Sequence, residues 1–322
     1  MYATLKKAQP NALRILENSI KNNRLSHAYL FTGPNGTYKK EMAYHLAMML
    51  YCKEEKPCYK CPNCLAILEN RHLNVHYIEP LGQSIKKEQI IALQEEFSKT
   101  SLVEGPRIYI INDADTMSSS AANSLLKFIE EPTSEVYGIL ITEHKENILS
   151  TIISRSMVIS FNELDKKFLK EQLDTAEISP LILNCLCYLT SNLSEAKECI
   201  ADESFVNLCE VFRKFVNDLK EEKSMSLFYR AHLDILNSKD KLKIFLRLLE
   251  AYFRDVYEYQ LLNNILVFDS LEDEIKMTAD LIDKEDILKY LFQILELIKK
   301  IGYNVNMSLL MNQFLIDLNG GI

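Results

Sequence analysis

An apolar run at 27–31, HAYLF, leads into the loop GPNGTYKK at 33–40 and from there into helical text at 40–51, KEMAYHLAMMLY. A strand that turns through glycines directly into a helix is the start of a strand–helix alternation, and such alternation implies a mostly parallel sheet with helices on its faces. The loop is close to the phosphate-binding pattern G-x-x-x-x-G-K-[ST]. In that pattern glycines let backbone N–H groups approach phosphate, the lysine reaches the outer phosphates and the hydroxyl binds Mg²⁺. Gly33, Gly36 and Lys39 suit that task, and Pro34, Asn35 and Thr37 fill variable positions. Tyr38 stands where the second glycine belongs, and Lys40 replaces the hydroxyl residue. The loop is either a chance match or a nucleotide site that has lost parts, and its place between strand and helix weighs against chance.

Further strand-like runs follow: VHYIEP at 75–80, RIYIIN at 107–112, YGILIT at 137–142 and MVISF at 157–161. Between them lie the helical stretches KKEQIIALQEEFSK and SSSAANSLLKFIEE, the second opened by serines suited to capping it and stopped by Pro132. Ligands in such sheets bind beyond the carboxyl ends of the strands. After about residue 162 the text is helical throughout. In its last segment Met307, Leu310, Met311, Phe314, Leu315 and Leu318 recur at i, i+3, i+4 spacing and predict one packed face. The expected division is an α/β domain at 1–162, a small three-helix domain at 163–205 and a larger helical domain at 206–322.

The third strand runs into Asn112 and Asp113. A nucleotide-hydrolysing site needs an aspartate for Mg²⁺ at the first of these positions and an acid that orients water at the next. Asn112 is neutral, so both protein ligands for Mg²⁺ are missing, the hydroxyl at 40 and the carboxylate at 112. A Lys40 ammonium 4 Å from a divalent ion would be repelled by at most about 8 kcal/mol at an effective dielectric near 20. Arg155, in TIISRSMVISF, closes a helix before the final strand. Its two readings are a solvated surface arginine and an arginine that stabilises charge at a phosphate-transfer site. His27, His72 and His76 share no metal or acid–base spacing and read as structural, and there is no G-x-S-x-G elbow.

Of eight cysteines, four form C-x₅-C-x₂-C-x₂-C at Cys52, Cys58, Cys61 and Cys64, with Pro57 and Pro62 tightening the turns. Four thiolates so spaced suit a closed, tetrahedral structural Zn²⁺ with no open position for catalysis. Cys185, Cys187, Cys199 and Cys209 sit in apolar helical text and read as small buried hydrophobes. A net charge of −8 argues against a chain that coats nucleic acid and favours protein partners. No apolar run is long enough to span a bilayer and the N-terminus lacks an apolar signal core, so the expected place is the cytoplasm.

Taken together, LSHAYLFTGPNGTYKK, the cluster ending CPNC, IEPLGQSIKKEQIIALQEEFS, RIYIINDADTMSSSAANSLLKFIEEP and TIISRSMVISF resemble one family. It is the delta-prime subunits of the bacterial DNA polymerase III clamp loader, which are AAA+ proteins. The resemblance covers about residues 5–161, and the helical remainder matches mainly in pattern and in NVNMSLLMNQFLIDL. It implies an AAA+ domain with a zinc insertion, followed by lid and collar domains. It also implies a hetero-pentamer with tau/gamma and delta subunits, and action on a sliding clamp and primed DNA within the replisome. The family's S-R-C appears as Ser154, Arg155 and Ser156, Lys127 lies in a matching block, and Thr142 falls at the sensor position. The implied role is a stator that does not hydrolyse ATP and supplies Arg155 to a neighbour. Binding of ATP or ADP stays open, because backbone amides alone can hold phosphate. Two rivals stand: a working ATPase motor relying on Lys39, and a DNA-binding zinc module, which the two glutamates and absent arginine of CKEEKPCYKCPNC disfavour.

Overall fold

The structure, a computed structural model, describes residues 1–99, 103–130, 135–174, 177–221, 225, 227–303 and 306–319. The chain forms two compact units, Met1–Phe168 and Leu169–Ile322. The first contains β1 (Ala28–Thr32), β2 (Val75–Ile78), β3 (Arg107–Ile111), β4 (Val136–Thr142) and β5 (Met157–Ser160). All five strand-like runs become strands, in one parallel sheet of order β2-β3-β4-β1-β5. Alternate side chains pack opposite faces, as the pleat requires. Tyr29, Phe31, Ile108, Ile110, Ile139 and Ile141 join one core, and Leu30, Tyr109, Ile111 and Leu140 join the other.

The first core is covered by α1 (Tyr2–Ala8), α2 (Pro10–Lys21), α3 (Lys39–Tyr51) and α4 (Pro62–Leu68). The second is covered by α5 (Lys87–Ser98), α6 (Ser119–Glu130) and the short α7 (Ser150–Ile153). The serine cap expected for α6 is present: Ala121 N–H donates to Ser118 Oγ at 3.2 Å. Pro132 lies outside the described residues.

α8 (Lys166–Leu173) spans the division between the units. The second unit continues with α9 (Pro180–Leu189), α10 (Leu193–Ala201), α11 (Glu203–Lys220), α12 (Phe228–Ala231), α13 (Lys239–Leu262), α14 (Glu272–Leu281), α15 (Lys284–Lys300) and α16 (Met307–Asn319). No strand occurs among its described residues. The helical text at 179–200 is broken into two helices because Asn192 accepts from the N–H groups of Ser194 and Glu195 and so starts α10. The text at 241–268 stops being helical at Asn263, a left-handed C-terminal cap with φ 53°. On α16, Met311, Phe314, Leu315 and Leu318 are buried, and Met307 and Leu310 are half-buried. Cys185, Cys187 and Cys209 are buried, while Cys199 is only half-buried.

Candidate functional site

β1 lies between β4 and β5, and the register sets Thr32 beside Thr142 on one side and Ser160 on the other. The loop therefore leaves the sheet at the carboxyl edge, flanked by both neighbours. Gly33 N–H donates to Thr142 O at 3.3 Å, and Phe161 N–H donates to Thr32 O at 2.7 Å. This crowding explains the first glycine: a Cβ on Gly33 would lie 2.1 Å from Phe161 O, at a φ of +152°. Gly36 also has positive φ, 70°.

The position of the missing glycine keeps a glycine's backbone. Tyr38 sits in the left-handed region at φ 67°, ψ 25°, immediately before α3, a conformation that costs a non-glycine residue about 1–2 kcal/mol. Its ring packs edge-on to Phe168, with centroids 6.1 Å apart. The loop thus keeps, with tyrosine at 38, the left-handed backbone that glycine would adopt most readily. Thr37 Oγ1 donates to Pro34 O at 2.8 Å, and Gly36 N–H donates to Asn35 Oδ1 at 2.9 Å.

The two lysines have separate destinations. Lys39 is buried, and its Nζ donates to Gly33 O and Pro34 O, both at 2.5 Å. Burial pushes its pKa down, opposed by the charges of Glu143, Asp113 and Asp115. Lys40 Nζ lies over the Tyr77 ring, 4.3 Å from its centroid, a cation–π contact. At the end of β3, Asn112 Nδ2 donates to Asp113 Oδ2 at 2.9 Å. Burial and the charge of Asp115 raise the Asp113 pKa, and Lys39 opposes them. Thr142 Oγ1 donates to Asp115 Oδ1 at 2.7 Å and accepts from His144 N–H at 3.0 Å, so its hydroxyl is engaged within the chain. The two positions expected to ligate Mg²⁺ lack their usual ligands. Position 40 offers a cation in place of a hydroxyl, and Asn112 a neutral amide in place of the carboxylate that a divalent ion favours.

Arg155 occupies the turn between α7 and β5. Its Nη1 donates to Thr151 O at 3.1 Å, and its Nη2 lies 2.7 Å from Glu130 Oε1 at the end of α6.

The four clustered cysteines converge, with all four Sγ atoms within 4.8 Å of one another. Tetrahedral Zn–S bonds of 2.3 Å would bring the sulfurs to about 3.8 Å. Three sulfurs accept backbone N–H groups: Cys52 from Cys58, Cys58 from Cys61 and Cys61 from Cys64, at 3.3–3.5 Å. Such bonds stabilise thiolates, and those from Lys60 and Cys61 lower the Cys58 pKa to about 6. Burial pushes the Cys64 thiol up to about 12, a proton that a metal would have to displace. The arrangement fits a closed Cys₄ centre, which these four residues would hold. Between them, Tyr59 takes φ 57° and sets its hydroxyl 2.5 Å from Nδ1 of the buried His45 on α3. That contact ties the insertion to the helix that follows the Gly33–Tyr38 loop.

A family model described as DNA polymerase III, delta subunit, matches residues 8–165. The DNA polymerase III subunit delta' of Bacillus subtilis is 36% identical over 99% of both chains. The chain belongs to the DNA polymerase III delta-prime family. A DNA polymerase III subunit tau/gamma of Haemophilus influenzae is 30% identical over 51% of this chain and 24% of its own length. Among solved structures, a DNA polymerase III gamma subunit-related protein from Thermotoga maritima aligns over 97% of this chain and 99% of its own. That alignment has 19% identity and a TM-score of 0.39.

Within this delta-prime chain, β1, β3 and β4 bring the loop, Asn112, Asp113 and Thr142 to one edge of the sheet, while the cysteines form a separate centre. His72 and His76 pack against Tyr51 and Phe97, and His27 stacks on Tyr137. Sequence reasoning missed Asp115, the partner of Thr142, and Glu130, the partner of Arg155. Asp115 lies in DADTM and Glu130 in SLLKFIEE, but only the tertiary structure pairs them with Thr142 and Arg155.

Proposed function

We propose that this chain is a clamp-loader subunit that does not hydrolyse ATP and completes a neighbouring subunit's ATP site with Arg155. Its partners on this reading are tau/gamma and delta subunits in a hetero-pentamer. Through that assembly it acts on a sliding clamp and primed DNA at the cytoplasmic replisome. The observation that carries the reading is the fate of the loop lysines. Lys39 is bound to two carbonyls of its own loop, and Lys40 lies on Tyr77. A bound nucleotide would have to compete for the first and would gain no metal ligand from the second. Loss of both metal ligands weakens catalysis more surely than binding, since backbone amides at a helix N-terminus still favour phosphate. Zn²⁺ is assigned a structural role at Cys52, Cys58, Cys61 and Cys64.

Residues 163–205 are assigned as the lid and 206–322 as the collar that joins the ring. In support of the collar, Leu288, Phe292 and Leu295 form an exposed apolar stripe on α15 at i, i+4, i+7 spacing, with Phe292 68% exposed. Phe292→Asp alters no buried group of the free chain. It is expected to weaken pentamer assembly at least about tenfold, as loss of an aromatic anchor does. Sedimentation of reconstituted mixtures reads the effect, and unchanged assembly would remove this stripe from the interface.

The direct test is steady-state hydrolysis. The isolated chain is expected to turn over no ATP, and Lys39→Ala to leave the reconstituted complex within about twofold of its normal rate. Hydrolysis by the isolated chain, abolished by Lys39→Ala, would make it a motor.

A further inference from the structure

The contact between Arg155 and Glu130 joins two elements that are far apart in sequence. Glu130 ends α6, and Arg155 follows α7. The guanidinium is held at two points, by the Glu130 carboxylate through Nη2 and by the Thr151 carbonyl through Nη1. A single anchor leaves an arginine head free to rotate, whereas two bonds to different nitrogens fix the plane of the fork. These bonds use two of its five N–H donors and leave three for phosphate oxygens. Both side chains stay accessible, Arg155 at 42% and Glu130 at 45%. An ion pair so exposed is too weak to sequester the arginine, and water or phosphate can reach it.

We propose that Glu130 is a positioning residue for Arg155, fixing the guanidinium in the geometry from which it meets the γ-phosphate of ATP on a neighbouring subunit. The inference rests on the trans-acting reading of Arg155 given above. Glu130 touches neither nucleotide nor reacting atoms. It acts by removing rotamer freedom that the arginine would otherwise lose in the transition state. Its effect should therefore fall on turnover and not on ATP binding, since arginine-finger contacts strengthen as charge moves onto the leaving oxygens.

The test uses the reconstituted clamp loader, with the other ATPase sites silenced through their own loop lysines, so that only the site facing this chain reports. Glu130→Ala and Glu130→Gln are expected to lower kcat about three- to fivefold, the most an exposed pair supports, with KM for ATP unchanged. Glu130→Asp, which keeps the carboxylate on a shorter stem, should recover part of the loss. In an Arg155→Ala background Glu130→Ala should cost nothing more, because a residue that acts only through the arginine has nothing left to position.

Wild-type turnover in Glu130→Ala would overturn the inference. So would faster turnover, which would make Glu130 a restraint. A further loss in the double variant would assign Glu130 to the stability of α6 instead. If Arg155→Ala itself leaves turnover unchanged, the trans-acting reading falls and the role of Glu130 falls with it. A slow Arg155→Ala beside a normal Glu130→Ala removes the positioning role alone.

Discussion

Arg155→Ala is expected to slow ATP turnover at the neighbouring site by at least about 10², a floor set below the 10³ to 10⁵ that an arginine finger supplies. The expectation follows from placement and chemistry together. Arg155 stands in a turn at the surface of the α/β unit, with its head tethered but accessible. A guanidinium is always charged and presents a planar fork that matches phosphate. The chain's own loop has no use for such a charge, since the Lys39 ammonium is already held by Gly33 and Pro34 carbonyls. Because Arg155 is exposed and its ion pair is a surface one, alanine should leave folding and assembly intact, so the loss should appear in turnover alone. The measurement is single-turnover phosphate release by complexes containing either the native chain or the variant, with the other sites silenced and assembly verified by sedimentation. An unchanged rate would return Arg155 to an ordinary surface ion pair with Glu130. Arg155→Lys separates geometry from charge, and a loss close to that of alanine would mean that the fork matters more than the charge.

The loop shows how far a sequence can be read and where reading stops. Gly33 was legible because a strand running straight into a helix needs close backbone approach, and Phe161 O is the atom that enforces it. Tyr38 was legible as a departure from the phosphate-loop pattern. That it would keep the left-handed backbone and pack on Phe168 was not, because propensity disfavours a bulky residue there and only tertiary contact overrides it. The five strands were legible from short apolar runs. Their order was not, since it depends on which crossovers pack, and it is the order that sets Thr142 beside the loop. The letters at 10–21 carry no strong apolar run, yet they form a helix whose Ala12, Leu13 and Leu16 join the core on one face of the sheet. The destinations of Lys39 and Lys40 were outside reach for the same reason as Glu130 and Asp115: a long polar side chain chooses its partner after the fold is made.

The cysteine centre was the most legible feature, and it gives the other large expected effect. Cys61→Ala should abolish stoichiometric zinc and unfold the insertion at 52–64. Structural Zn²⁺ contributes an apparent ~10–16 kcal/mol in small zinc modules at neutral pH, and much of that is folding free energy. Cys61 has two roles. It is one of the four converging thiols, and as the N-cap of α4 its sulfur accepts the Cys64 N–H. Alanine therefore removes a ligand and a cap together. Serine, which keeps a capping oxygen, separates the two: it should lose the metal while recovering only the smaller capping contribution of about 1 kcal/mol. Cys64 and Ile67 belong to one of the sheet's two cores, but most of that core and all of the other lie outside 52–64, so cleavage should quicken first within 52–64, ahead of any change in the rest of the unit. Zinc content by elemental analysis and limited proteolysis read the two effects, with Cys199→Ala as the thiol control, since Cys199 lies outside the cluster in α10. Native chain purified without zinc, or Cys61→Ala retaining it, would remove the metal from the account. The Tyr59 to His45 contact sets how far the damage spreads: α3 begins at Lys39, and loosening the insertion removes a hydrogen bond from the helix that follows the glycine loop at 33–38. If that contact transmits strain, Cys61→Ala should raise amide exchange at the start of α3, whereas an unaltered α3 would make the zinc element an independent staple.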